Sequence, residues 1–151
     1  MACARCRAGS FRRRTTVSVH FVEGTNLQRG RGYSPAVISE GGRIVWLSGH
    51  VAPTDAAGRD LSADFEAQVH CIFVLLDQTL RRAGGSLANL VSMTVYVSSA
   101  ADIESFLTIR TSLFEPGRYP SSALLVVEGF ARPAIRVEVQ GVAVIDKEGL
   151  Q

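Results

Sequence analysis

Apolar residues recur along this chain with two distinct periods. From Phe65 the spacing is helical: Phe65, Val69, Ile72, Phe73, Leu76 and Leu80 fall at i, i+4, i+7, i+8, i+11 and i+15, one face of an amphipathic helix. Ser62 is the expected N-cap, with Asp64 and Glu66 in the first turn. Arg81 and Arg82 close the last turn and Gly84-Gly85 stop it. A second helix is expected after Ser99-Ala100-Ala101-Asp102, a capping-box-like start, with Ile103, Phe106, Leu107, Leu113 and Phe114 on its apolar side and Pro116-Gly117 as its end.

Elsewhere the period is two. Val17, Val19 and Phe21 alternate with Ser18 and His20, which predicts a first strand over 16–22. Val37 to Ser39 and Arg43 to Ser48 flank Glu40-Gly41-Gly42, a hairpin signal. Leu90 to Val97, Ser122 to Val127 and Ile135 to Val144 complete the strands, and the segments 23–32 and 53–58 read as loops. The order β-β-β-α-β-α-β-β predicts an α/β (α+β) domain: a mixed β-sheet of about six strands with two helices on one face. In the last strand Ile135, Val137 and Val139 face the helices, while Arg136, Glu138 and Gln140 point away from the core. If that outer face serves assembly, Glu138 ends up in a cleft between protein subunits.

Charge and composition narrow the partners. Of 151 residues, 46% are hydrophobic, which suits either an Ala- and Val-rich domain or a subunit that buries surface against copies of itself. The formal net charge of +2 is misleading. Arg5, Arg7, Arg12, Arg13 and Arg14 lie in a segment without acids. Removing these five from the 16 basic residues leaves 11 against 14 acids, a net −3. A mildly acidic body has no footprint for a nucleic-acid groove. Residues 1–16 read as a disordered basic tail, with a transit peptide as the alternative, and 17–151 as a single domain. No apolar run approaches a membrane span. Three cysteines make no disulfide framework, and the spacing of Cys3 and Cys6 lacks the context of a redox or zinc motif. Cys71 is expected to be a buried small hydrophobe, and a reducing, cytoplasmic setting is expected.

Several short motifs occur in a familiar order. They are Tyr33-Ser34-Pro35-Ala36-Val37, Ser48-Gly49-His50, Gln68, Ala83-Gly84, Val91 to Val97, Asp102, Phe114, Tyr119-Pro120-Ser121-Ser122 and Val137-Glu138-Val139-Gln140-Gly141-Val142-Ala143. This series, over about residues 30–145, resembles the reactive intermediate deaminase (Rid, YjgF-like) family, also called the L-PSP endoribonuclease family. The resemblance implies a chorismate mutase-like fold and a homotrimer whose sheets form an inner barrel. It also implies small-molecule clefts between subunits, and hydrolysis of imines or enamines of 2-oxo acids without metal or organic cofactor. The family's water-orienting carboxylate falls on Glu138, the candidate catalytic residue. Tyr33, Ser48, Gly49, Ser122 and Leu124 are the candidate substrate-binding residues. Outside the resemblance, Glu138 reads as a polar ladder partner of Arg136 or of an adjacent strand, and Tyr33 as a half-buried tyrosine.

The chain departs from the pattern where the family has its substrate-clamping arginine: that position is Ser122. A serine carries no charge and one donor. Loss of a bidentate charge-assisted contact costs about 2–4 kcal/mol of binding. Leu107 and Leu75 stand where asparagines are frequent and His50 where glutamine is, so a more apolar pocket is expected. Arg118 and Arg110 are the cations near enough in sequence to substitute; both are expected to be solvent-exposed charges, and Arg118 is not expected to replace the arginine. Three functions follow: an imine deaminase of reduced or altered range, a non-enzymatic trimeric metabolite-binding protein, and, ranked last, an endoribonuclease or translation inhibitor. The last has little support from a net-negative body in which His20, His50 and His70 stand apart.

Overall fold

The computed structural model describes residues 16–146; most of the expected basic tail, including Cys3 and Cys6, lies outside them. Among the described residues six strands and three α-helices form: β1 (Ser18–Phe21), α1 (Asn26–Gly30), β2 (Val37–Glu40), β3 (Arg43–His50), α2 (Phe65–Arg82), β4 (Leu90–Val97), α3 (Ile103–Leu113), β5 (Ser121–Val126) and β6 (Val137–Ile145). The mixed α+β architecture expected from the sequence is present, with the six strands divided between two sheets. One has four strands in the order β3-β6-β4-β5, and the other pairs β1 with β2. Of the described strand pairs, β4 with β5 is parallel and the rest are antiparallel.

The hairpin expected at Glu40-Gly41-Gly42 is a correction. The turn is tight, with φ of 72° at Gly41 and 74° at Gly42. Its two arms then part: β2 pairs with β1 and β3 pairs with β6. Packing at the turn favours the separation, since a Cβ on Gly42 would lie 2.8 Å from the Ile145 carbonyl. The turn is therefore pressed against the end of β6, and β3 continues along that strand.

The long helix α2 follows its apolar stripe: Phe65, Val69, Ile72, Phe73, Leu76 and Leu80 are all buried. Its N-cap is Asp64, whose side chain accepts from Ala67 N at 2.9 Å, and not Ser62. The preceding loop runs on through Leu61, whose N–H donates to the Pro53 carbonyl at 2.8 Å, and this delays the first helical turn. Segment 23–32, expected to be a loop, contains α1, closed by a Thr25/Gln28 capping box. Before α3, Ser99 accepts from Ala101 N as expected of a cap, but Asp102 turns away to Arg136, with both carboxylate oxygens 2.9 Å from Nη2.

Helices α2 and α3 cover one face of the four-stranded sheet, where Met93, Val95, Val97, Val137 and Val139 join their buried side chains in a single core. The opposite face is uncovered. Trp46 is 77% exposed and Ile44 58%, and Leu125 is exposed as well. Cys71, expected to be buried, is half-buried; burial pushes its thiol pKa up, with the Asp55 charge adding to the effect.

Candidate functional site

The candidate residues fall into two groups on opposite faces of the sheet. In the parallel pairing of β4 and β5, Ser122 sits beside Met93 and Leu124 beside Val95. Met93 and Val95 are core residues, so Ser122 and Leu124 share the helix-covered face. Glu138 sits opposite Tyr96, whose neighbours along β4, Val95 and Val97, are buried. Glu138 therefore occupies the uncovered face. Strand spacing places its backbone about 10 Å across the sheet from β5.

On the helix side, a cavity of about 250 Å³ opens beside β5. Ile103, Leu107 and Leu124 supply its apolar wall, and Arg31, Tyr33, Arg110 and Ser122 its polar groups. Tyr33 arrives because the chain after α1 runs alongside the start of β5: Ser34 N donates to the Pro120 carbonyl at 3.2 Å and Ser34 bridges to Ser121. The end of α1 is held against α3 at Gly32. A Cβ there would come within 2.6 Å of Thr111 Oγ1, and its φ of 66° favours glycine.

Arg110 is the centre of this group. It is 2% exposed, which corrects the expectation of a solvated charge. Its Nη1 donates to Ser122 Oγ at 2.9 Å, and its Nη2 donates to the Arg31 carbonyl. The guanidinium carbon lies 5.9 Å from the Tyr33 ring centroid and 5.5 Å from that of Phe106. Among the described residues, Nε has no hydrogen-bond partner. Burial, and then the neighbouring Arg31 charge, pull the Arg110 pKa down to about 10, which leaves it a cation at neutral pH. A sequence signal for it existed: residue 110 follows Ile103, Phe106 and Leu107 at i+7 on the same helical stripe. A charge on an apolar stripe is either buried with a purpose or misplaced. Arg118 takes no part in this cavity; it lies 3.8 Å from Glu115 and 5.7 Å from the Phe21 ring centroid.

On the uncovered face, Ser48, Gly49 and Glu138 come together. The pairing of β3 with β6 slips between Leu47 and His50, a bulge that lifts Ser48-Gly49 out of the ladder. The Glu138 carboxylate lies over Gly49: a Cβ there would be 1.8 Å from Oε1. The bulge is held from behind by His50, whose Nδ1 is 2.8 Å from the Ser48 carbonyl and whose Nε2 is 3.2 Å from Thr79 Oγ1 on α2. Of the two partners that the alternative reading offers Glu138, Arg136 is engaged with Asp102, which leaves the adjacent strand. Its cross-strand neighbour is Tyr96, whose hydroxyl accepts from Gln140 Nε2 at 3.2 Å.

Residues 24–145 match the family described as Endoribonuclease L-PSP. The chain belongs to this family, the YjgF/Rid proteins. Solved structures agree at the level of fold. A Rid-family protein of unknown function from Yersinia pestis shares 24% identity over 85% of this chain and 98% of its own, with a TM-score of 0.70. A YjgF/YER057c/UK114 family member from Mycobacterium tuberculosis shares 24% identity over 85% and 100%, with a TM-score of 0.59. A protein described as a putative endoribonuclease L-PSP from Entamoeba histolytica shares 20% identity over 86% and 100%, with a TM-score of 0.56. No curated protein matches the sequence. Among the described residues of this Rid-family chain, no cluster of three or more His, Cys, Asp or Glu side chains is placed to hold a metal, and no helix is long and apolar enough to cross a membrane.

Proposed function

We propose that this Rid-family chain forms small-molecule clefts between the subunits of a homotrimer and hydrolyses imines or enamines of small carboxylates. Its substrate range is altered because Ser122 stands at the position of the family's clamping arginine. The observation that carries this reading is the Arg110 guanidinium on Ser122 Oγ. A cation delivered from α3 reaches the place that the strand no longer supplies. A buried guanidinium with donors to spare suits a carboxylate, because a charge-assisted pair offsets the cost of keeping the charge out of water. Ser122 then acts as a strut for the arginine, and Tyr33 and Leu124 line the same cavity.

Glu138 takes the water-activating role. It accepts a proton from water as the oxygen attacks the imine carbon and returns that proton to the nitrogen; the resulting carbinolamine then gives up its hydroxyl proton to the nitrogen as the C–N bond breaks, which releases ammonia and leaves the 2-oxo acid. One protomer holds Glu138 and Arg110 on opposite faces, and a subunit arrangement that brings one chain's Arg110 cavity to its neighbour's Glu138 completes the set. The uncovered face, with Trp46 and Ile44 exposed, supports such an assembly. Residues 17–151 act as one domain, and the use of cysteine supports a cytoplasmic setting.

The separation of the two groups also favours a second reading, a trimeric metabolite-binding protein without turnover. An imine-hydrolysis assay discriminates. An amino-acid oxidase generates the imine in the presence of semicarbazide, and wild type is compared with Glu138→Gln and Arg110→Met. Turnover in wild type that both substitutions abolish supports the enzyme. Carboxylate binding with no turnover in wild type supports the binding protein. Turnover that survives Glu138→Gln removes the catalytic role of Glu138.

A further inference from the structure

The Arg110 cavity contains a second cation. Arg31 lines it too, on the short stretch that joins α1 to Tyr33. Its side chain is 43% exposed, and its nearest acid, Glu104, is 4.0 Å away with a side chain 83% exposed. That contact is at the limit of an ion pair and open to water, so it neutralises little. Arg110 has no carboxylate partner among the described residues. The two arginines are close enough for each to feel the other's charge, and Arg110 is less basic for it. Like charges brought to one cavity are unfavourable unless a ligand compensates them.

We propose that this cavity takes a small ligand carrying two negative charges, one seated on buried Arg110 with Ser122 and the other on Arg31 at the rim. The proposal rests on the preceding reading of the cavity as a carboxylate site and names its ligand class. At about 250 Å³ the cavity is smaller than sites that enclose drug-sized molecules, which suits a short dicarboxylate or a single phosphoryl group. The apolar wall of Ile103, Leu107 and Leu124 favours an aliphatic link between the charges over a polyhydroxylated one. A ligand with one carboxylate fills the Arg110 end and leaves Arg31 in water.

Calorimetric titration of the full chain at fixed, low ionic strength tests this with three probes: butanoate, succinate and inorganic phosphate. Succinate or phosphate is expected to bind about fivefold more tightly than butanoate, the effect of one partly screened charge contact. In Arg31→Met that ratio falls to near one. Preference for succinate alone identifies two separated carboxylates, and preference for phosphate identifies both charges on one group. Butanoate binding as tightly as both dianions overturns the dianion proposal and leaves the carboxylate site standing. A preference that persists in Arg31→Met also overturns it. Failure of all three to bind wild type overturns the carboxylate reading itself. Arg31 is half exposed, so its substitution does not threaten folding.

Discussion

A Gly49→Ala substitution isolates the placement of Glu138 from its chemistry. Gly49 lies outside the positive-φ region, so alanine can adopt its backbone conformation without strain. Removing a glycine from a strand interior contributes up to about 1 kcal/mol of stability, so the fold is expected to survive unchanged or slightly stabilised. The added Cβ meets the Glu138 Oε1 at 1.8 Å, where ordinary contact begins at 3.4 Å, so the carboxylate must retreat by about 1.6 Å. A misplacement of about 1 Å in a catalytic group costs on the order of 100-fold in rate. The expectation is a fall of about 100-fold or more in kcat/KM for imine hydrolysis, with Tm equal to or above that of wild type. Arg110, on the other face, is untouched, so carboxylate binding at its cavity is expected to hold. The assay is the oxidase-coupled imine hydrolysis, with thermal denaturation alongside. A stable variant with unchanged kcat/KM would refute the argument that Glu138 works from its position over Gly49.

Other substitutions probe the remaining parts. Arg110→Met removes a buried charge with an unpartnered Nε but also the donors to Ser122 Oγ and the Arg31 carbonyl, so the two effects are expected to offset to within about 1 kcal/mol of stability while carboxylate binding is lost; calorimetry on wild type and variant reads this out. Ser122→Arg, which would supply the arginine that the family resemblance implies at this position, places a second guanidinium against Arg110; a Tm several degrees lower and no gain in turnover are expected, and a gain would show that Arg110 is not the working cation. Trp46→Glu puts a charge at the most exposed large apolar side chain of the uncovered face; if this face assembles the proposed trimer, sedimentation is expected to show trimers for wild type and monomers for the variant. Arg110 is held by burial at a pKa of about 10, below the usual arginine value. Its folded form therefore binds a proton less well than the unfolded chain, so its contribution to stability is adverse below pH 10 and relaxes as pH rises above it. An alkaline stability profile should lose that rise in Arg110→Met.

Much of the fold was written into local pattern. The apolar stripe of α2 and the strict alternation of β4 are periodic signals with one geometric reading, and both elements form where the spacing puts them. The family resemblance rested on short motifs in a fixed order; those holding Ser48-Gly49, Ser122 and Glu138 sit on strands that carry the two groups of candidate residues, while Gln68 lies in α2 and Phe114 caps α3, the helices that cover the sheet. The Gly41-Gly42 turn shows where local signals stop. Turn chemistry dictated a reversal, but which strands paired depended on β6, about 100 residues later in the chain. The same holds for the site. Sequence showed that Ser122 has no charge to offer a carboxylate. It did not show that Arg110, one helix away, turns inward and donates to that serine, because the contact depends on how closely α3 packs on β5 and on the end of α1. Nor did it show that Glu138 and Ser122 point to opposite faces, since strand order and register decide which neighbour each meets. Period and turn chemistry are properties of a few adjacent residues, so sequence reveals them. Pairing, facing and burial are decided by distant segments packing together, so only the tertiary structure does.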